Sequence, residues 1–193
     1  MTCLINLEKT SMKTKRNMTS NTPSSSSTQG RKLVSIDPGM NKIGLASFDG
    51  KRLIDYVVKV IPSAPLVRER LLSLEEVLGR YLDEKRPTEI ALEKTTFSSS
   101  TQNGLLVLAY YKILAMARRR RIPVHEYVPI SIRKTVCGNG HATKRDVVKV
   151  LISKYPELRI FTGTDRRWKE KHYFNLFDAV AVGLAHLRKT RHR

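Results

Sequence analysis

After the first thirty residues, apolar positions recur in short, partly β-branched runs separated by turn residues. The first run ends at Asp37, where a Pro-Gly pair breaks the strand and turns the chain. Two further runs, Ile43 to Phe48 and Leu53 to Ile61, are joined through Asp49-Gly50, a strong hairpin signal. This part of the chain predicts three strands, of which the second and third form a hairpin.

The next segment predicts a helix and then a fourth strand. Regularly spaced leucines mark one apolar face of a helix from Pro65 to Arg86, and Pro87 ends it. Thr88 to Glu93 then predicts a strand with apolar residues on one face. A strand–helix–strand order implies a right-handed crossover, and therefore parallel pairing of the first and fourth strands.

A long helix from Asn103 to Arg121 is predicted to be apolar almost all round. Such a helix buries two faces, and the second face indicates contact with a partner subunit. Its last residues, Arg118, Arg119, Arg120 and Arg121, have two interpretations. They are either a solvated cap that suits the negative end of the helix dipole or a patch that contacts phosphates.

The last third of the chain predicts short elements before one final apolar helix. They are a strand from Pro123 to Val128, a helical turn from Ser131 to Val136, a helix from Lys144 to Tyr155 and a helix from Tyr173 to Leu187. Between the last two helices, Pro156 to Lys171 indicates irregular, basic structure. Strands and helices in this order indicate an α/β fold.

The charge balance indicates what kind of partner the protein binds. Its 193 residues carry 36 Lys and Arg against 17 Asp and Glu, a net charge of +19. This surplus favours nucleic acid before a membrane surface, because basic side chains displace counterions from phosphates. No apolar run approaches the ~20 residues of a membrane span, so no membrane partner is predicted. Two cysteines in the whole chain fit a reducing compartment.

Residues 1–30 differ in composition from the rest. They are rich in Ser, Thr, Asn and Lys and contain one acid, Glu8. We predict a disordered, basic N-terminal tail ahead of one domain at 31–193. A cytoplasmic, nucleoid-associated protein is the main prediction. A mitochondrial or plastid protein is the alternative, since a stretch poor in acids and containing Ser and Lys is also found in transit peptides.

Three acids, Asp37, Glu93 and Asp178, form the candidate site. Asp37 and Glu93 end two strands that are predicted to be parallel neighbours, so they would converge in the crevice where α/β sheets keep their sites. Asp178 is predicted to begin the last helix, with Asn175 one turn before it on the same face. Carboxylates suit Mg²⁺, and paired metal ions support phosphoryl displacement. A basic protein around such a site describes a metal-dependent nuclease; taken alone, Asp37 is more simply a turn residue.

Four motifs in the chain resemble the ordered motifs of RuvC-type Holliday junction resolvases. They are Ile-Asp-Pro-Gly at 36–39 with Gly44 following, Ala-Leu-Glu at 91–93, Gly-Asn-Gly-His-Ala-Thr-Lys at 138–144 and Phe-Asp-Ala-Val-Ala-Val-Gly-Leu-Ala-His at 177–186. The resemblance covers residues 32 to about 190. It implies a ribonuclease H-like α/β fold, with a five-stranded mixed sheet flanked by helices on both faces.

The same resemblance implies a function and a cofactor. The family acts as a homodimer that nicks two strands of a four-way DNA junction in recombination and repair, and a branch-migration helicase is the implied partner. Mg²⁺, two ions per subunit, would be held by Asp37, Glu93 and Asp178. Asn175 stands where the family usually has a fourth acid, and its amide oxygen can ligate a metal but brings no charge.

Further residues carried over from the family would contact DNA. Lys144 matches the family's lysine in the glycine loop and would bind the scissile phosphate, with Arg145 beside it. Thr96 stands where the family often has a stacking Phe, and Phe97, one residue later, either stacks on unpaired bases or packs in the core. Two other functions stay open. One is a junction- or RNA-binding protein with weakened catalysis, motivated by Asn175. The other is a YqgF-like RNA-processing nuclease of the same fold, which is less favoured because the glycine loop at 138–144 and the long penultimate helix match the resolvases better.

Overall fold

The structure, a computed structural model, describes residues 30–95, 101–162 and 167–190, with side chains at 30–95, 104–162 and 173–190. Residues 1–29, almost all of the predicted tail, lie outside these ranges, and so does Phe97. The predictions made for the tail and for Phe97 therefore stay predictions.

Five strands form one mixed sheet in the order β3-β2-β1-β4-β5. Their bounds are β1 Lys32–Asp37, β2 Lys42–Asp49, β3 Arg52–Val60, β4 Glu89–Glu93 and β5 Val124–Tyr127. The first three strands pair antiparallel, whereas β4 pairs parallel with β1 and with β5. The predicted five-stranded mixed sheet is confirmed. We call the edge at which the parallel strands begin the amino edge and the edge at which they end the carboxyl edge.

Helices cover both faces of this sheet, as predicted. α1 (Val67–Lys85) and α2 (Thr101–Arg119) pack on one face. α3 (Pro129–Cys137), α4 (Lys144–Lys154) and α5 (Arg167–Thr190) pack on the other. Among the helices that the structure describes, none combines the length and the apolar character that a membrane crossing requires.

Side chains alternate along each strand between the two faces of the sheet. Ile36 of β1 and Leu92 of β4 belong to the core against α1 and α2. Because neighbouring residues of a strand point to opposite faces, Asp37 and Glu93 point to the α5 side. Glu89, four residues before Glu93, points to that side too. The α5 face therefore receives acidic side chains at both edges of the sheet.

The segment from Pro156 to Lys171 is more regular than predicted. Pro156–Phe161 forms a 3-10 helix, and α5 begins at Arg167, six residues before the predicted start at Tyr173. Residues 167–172 are mostly charged or aromatic, so they show no apolar periodicity even though most of them are compatible with a helix. The prediction that Asp178 begins the helix is wrong, because it lies eleven residues after Arg167.

α5 lies close to the sheet because small residues separate them. A Cβ atom at Gly183 would overlap the Phe48 ring, and one at Gly44 would overlap the carbonyl oxygen of Asn175. Ser35 Oγ donates a hydrogen bond to the Ala179 carbonyl at 2.7 Å. The glycines thus fix how closely the helix approaches β1 and β2, and with it the height of the α5 side chains above the sheet.

Replacing Gly183 by Ala tests this packing. We expect Gly183→Ala to lower the free energy of unfolding by about 1–3 kcal/mol, because the new methyl group overlaps buried Phe48. Gly104→Ala is the matched control: Gly104 is also helical, but a methyl group at this position would have nothing within 4 Å of it. That control should be neutral or stabilising by up to about 1 kcal/mol. Urea unfolding of both variants measures the difference, and equal effects would contradict the packing argument.

Candidate active site

Three acids converge at the carboxyl edge of the sheet. Asp37 is the last residue of β1 and Glu93 the last residue of β4, and these strands are parallel neighbours. Asp178 comes down onto them from α5. The three lie close enough for Glu93 and Asp178 to raise the pKa of Asp37 and for Asp178 to raise that of Glu93. The predicted grouping of these acids is therefore present in the structure.

Burial and repulsion disfavour the charged forms of Asp37 and Glu93. Burial, and then repulsion from Glu93 and Asp178, raises the pKa of Asp37 well above its ordinary value. Burial and the charge of Asp178 raise the pKa of Glu93 from 4.5 to about 7. Carboxylates held together at this cost form a site that favours a cation.

Asn175 is bound to this acidic group through its amide nitrogen. Asn175 Nδ2 donates a hydrogen bond to Asp37 Oδ2 at 2.9 Å. Gly44 of β2 pairs with Asp37 of β1. Because Gly44 has no side chain, the Asn175 backbone can lie close enough to the sheet for this hydrogen bond; any larger residue at position 44 would collide with it. To offer its oxygen to a metal ion, the Asn175 amide would have to rotate.

Lys144 reaches the same group from the start of α4. A capping box between Thr143 and Asp146 fixes the first turn of α4, and Lys144 follows the cap directly. Lys144 Nζ donates to Asp178 Oδ2 at 2.7 Å and lies 5.2 Å from the centre of the Phe174 ring. Burial lowers the pKa of Lys144, but the attraction of Asp178 and the other two acids outweighs it and leaves the pKa raised.

An open cavity of about 350 Å³ adjoins the acids. Residues of α3, α4 and α5 line it. Glu93, Lys144 and Asp178 belong to this lining, together with Arg133 and His141. Arg133 acts on the site electrostatically, because its charge favours the ionised form of Glu93. Sequence reasoning missed Arg133, which no motif marks; its signal was a cation in a helix directly after the fifth strand.

Residues 33–186 match the profile of the family described as "Crossover junction endodeoxyribonuclease RuvC". The chain belongs to the RuvC family. The match covers the four motifs that the sequence shows from Ile36 to His186 and extends from β1 into α5.

Individual proteins are similar to this chain in sequence or in fold. The RuvC protein of Corynebacterium glutamicum is 32% identical over 137 residues, which make up 64% of this chain and 58% of that protein. Among solved structures, Thermus thermophilus RuvC in complex with a Holliday junction substrate is 24% identical, covers 84% of this chain and 96% of its own, and has a TM-score of 0.66. The yeast mitochondrial Holliday junction resolvase Ydc2 is 13% identical, covers 82% and 78%, and has a TM-score of 0.64.

RuvC-family nucleases are metal-dependent. The residues at the carboxyl edge fit a hard cation, because they offer carboxylate oxygens and because the nearby charge of Lys144 does not offset the burial and repulsion that raise the pKa of Asp37 and Glu93. A bound divalent ion would relieve the repulsion that raises the pKa of Asp37 and Glu93.

Some of the predicted DNA-binding residues lie near the acids, and others lie at the opposite edge of the sheet. Arg145 lies on α4 beside Lys144 and lines a second, more apolar cavity. α2 returns the chain to the amino edge, where β5 starts, so the run from Arg118 to Arg121 is far from the acids. Arg119 pairs with Glu75 of α1, and Arg120 pairs with Asp83 of α1 at 3.2 Å. Those contacts favour the cap interpretation, and phosphate contact by this run stays a prediction.

A second polar cluster, which the sequence analysis missed, lies at the amino edge. Glu89 Oε2 lies 3.0 Å from His186 Nε2 and 3.4 Å from His125 Nε2. Arg31 pairs with Glu89, and Tyr127 OH lies 2.8 Å from His186 Nδ1. Its sequence signal was an acid at the start of the same strand that Glu93 ends, together with the histidine that closes the last motif.

The raised pKa of Glu93 predicts how metal-free stability depends on pH. Between pH 4.5 and about 7 the folded protein binds a proton that the unfolded chain has lost, so this group lowers stability as the pH rises through that range. In EDTA at pH 8, Glu93→Gln should therefore unfold with about 1–3 kcal/mol more free energy than the wild type. The gain should shrink near pH 5.

Urea unfolding at both pH values measures this difference. Glu76→Gln is the control, because Glu76 is an exposed acid on α1 that pairs with Arg80. An equal effect of Glu93→Gln at pH 5 and pH 8 would show that charge repulsion at this carboxylate is not its cause.

Proposed function

We propose that the protein is a metal-dependent endodeoxyribonuclease that resolves four-way DNA junctions by paired nicking. The observation that carries the proposal is the convergence of Asp37, Glu93 and Asp178 at the carboxyl edge, with Lys144 at its rim. Similar proteins are named crossover junction endodeoxyribonucleases, and one was solved with a Holliday junction. The chain spans 58% of the length of the Corynebacterium relative, so activity and substrate are proposed here.

Each residue has a proposed role. Asp37, Glu93 and Asp178 would hold Mg²⁺, which when bound supplies charge stabilisation and an activated water for phosphodiester hydrolysis. Lys144 would exchange its contact with Asp178 for the scissile phosphate, since its ammonium is already charged and its side chain is 60% exposed. Arg133 adds positive charge to the same cavity.

Asn175 decides how many metal ions the site holds. Two Mg²⁺ ions per subunit are proposed by resemblance to the family, with the second weakened because the Asn175 amide brings no charge. The structure supplies one observation on this point: the amide nitrogen faces Asp37. The weakened-catalysis alternative rests on the same residue.

We further propose a homodimer formed through α2. Leu108 is 44% exposed and Tyr111 is 54% exposed on this helix, while Tyr110 and Ile113 are buried in the core. Two adjacent apolar side chains left in solvent on a helix with a buried opposite face favour a second copy of the same surface.

Two other sequence predictions are kept as proposals. One is a branch-migration helicase as partner. The other is location, either cytoplasmic and nucleoid-associated or in an organelle. Bacterial proteins and a yeast mitochondrial resolvase are both among the similar proteins. Imaging of the full chain with a fluorescent protein at its C-terminus would distinguish these locations.

Asp37→Asn tests the active site. We expect the rate of cleavage of a synthetic four-way junction in Mg²⁺ to fall at least a hundredfold. This corresponds to a rise of roughly 3 kcal/mol in the activation free energy, because the metal ion would lose a charged ligand. Junction binding should be unchanged or tighter, because one negative charge is removed from the DNA-facing cleft. Asp49→Asn, at the exposed end of β2, is the control. Full cleavage by Asp37→Asn would overturn both the site and the nuclease proposal.

Asn175→Asp tests the second metal. Restoring an acid should lower the Mg²⁺ concentration needed for half-maximal cleavage, because the added charge strengthens the weaker site. Asn175→Ala, which adds no charge, should raise that concentration or leave it unchanged. If the wild type is inert and Asn175→Asp cuts, the weakened-catalysis alternative is correct.

Charges placed on α2 test the dimer. Leu108→Glu combined with Tyr111→Glu should convert a dimer into a monomer of about the chain mass in sedimentation experiments, because two carboxylates would face their symmetry mates. Leu72→Glu is the control, since Leu72 is an apolar residue of α1 that is 53% exposed. A wild type that sediments as a monomer with and without junction DNA would refute the dimer.

A further inference from the structure

The cluster at the amino edge consists of Glu89, His125 and His186, whose ligand atoms all lie within 4.8 Å of one another. Glu89 comes from β4, His125 from β5 and His186 from the last turns of α5. The cluster lies about 13 Å along β4 from Glu93, at four residues of about 3.3 Å each. It is therefore separate from the acids of the candidate active site.

The spacing of these atoms suits a tetrahedral metal ion. Glu89 Oε2 lies 3.0 Å from His186 Nε2 and 3.4 Å from His125 Nε2. Ligand bonds of about 2.0–2.1 Å to a tetrahedral Zn²⁺ would place neighbouring ligand atoms about 3.3 Å apart. Two nitrogens and one carboxylate oxygen are also a common set for Zn²⁺, with a fourth position open to water.

The surroundings of the cluster have the features of a built site. The side chains of Glu89 and His186 are 7% and 0% exposed, while His125 is 43% exposed and leaves a route from solvent. Tyr127 OH lies 2.8 Å from His186 Nδ1, so His186 directs its other nitrogen, Nε2, at Glu89. A hydrogen bond of this kind on the distal nitrogen orients a metal-bound histidine.

A positive group already contacts two of these three ligands. Arg31 Nη2 donates to Glu89 Oε2 at 2.9 Å and lies 3.2 Å from His186 Nε2. Arg31 stands just before β1 with 44% of its side chain exposed, so its guanidinium can move out towards solvent. Glu89 and His186 thus already contact a cation, and the exposure of Arg31 makes that cation displaceable.

We propose that Glu89, His125 and His186 bind one Zn²⁺ ion or a similar nitrogen-preferring transition metal, and that Arg31 holds the site in the metal-free protein. The ion would join β4, β5 and α5 at the edge opposite the acids. Its nitrogen ligands separate it chemically from the all-oxygen site that favours Mg²⁺. This proposal does not depend on nuclease activity, and its test does not measure cleavage.

The test uses the full chain stripped with EDTA, dialysed and titrated with Zn²⁺ in excess Mg²⁺, which occupies the carboxylate site. We expect one strongly bound Zn²⁺, a higher thermal midpoint, and the intense visible absorption of tetrahedral Co²⁺ when Co²⁺ replaces Zn²⁺. His125→Ala should bind at least about tenfold more weakly. His141→Ala, at the other edge, should bind as the wild type does.

Arg31→Gln tests whether Arg31 competes with the metal ion. If Arg31 competes with the metal ion, this variant binds Zn²⁺ several-fold more tightly, although its metal-free form is less stable. If the cluster is only a hydrogen-bonded network, no Zn²⁺ binds, or His125→Ala binds it unchanged, and the site is refuted. Unchanged or weaker binding by Arg31→Gln refutes the role of Arg31. Unfolding in EDTA checks that His125→Ala is folded, and His125→Gln replaces it if it is not.

Discussion

The contact between α5 and the sheet is the constraint on which the rest of the molecule depends. Gly183 and Gly44 leave no side chain between the helix and the strands beneath it, and Ser35 joins the two by a hydrogen bond. The helix crosses from one edge of the sheet to the other at this fixed height. Asp178 is thereby placed over the carboxyl edge and His186 over the amino edge, about 12 Å apart at eight residues of 1.5 Å each.

That placement brings acidic groups together, and the surrounding residues offset the repulsion between them only in part. Burial and mutual repulsion oppose ionisation of Asp37 and Glu93. The hydrogen bond from Asn175 and the charge of Lys144 act in the opposite direction on Asp37. Packing elsewhere must stabilise a metal-free site that is unfavourable by itself, as is common where function needs grouped charges. At the amino edge the balance differs, because Arg31 pairs with Glu89, the acid of the cluster there.

The sequence predicted the sheet and the meeting of the acids because both follow from local signals. Strand ends at Asp37 and Glu93 and the parallel crossover between them are enough to bring two carboxylates together. It did not predict the early start of α5, since residues 167–172 lack apolar periodicity. Nor could it pair Arg119 with Glu75 or Glu89 with His186, because those contacts join residues far apart in sequence through side-chain geometry that no short pattern encodes.

The position of Asp178 on α5, after every strand of the sheet, also affects biosynthesis. A ribosome completes β1 to β5 and α1 to α4 before the third acid is translated. Domains generally fold as units once their parts have emerged. A nascent or truncated chain that stops before α5 therefore has two of the three acids and an uncovered sheet face. For a protein proposed to cut DNA, this order keeps unfinished copies from acquiring the complete acidic site.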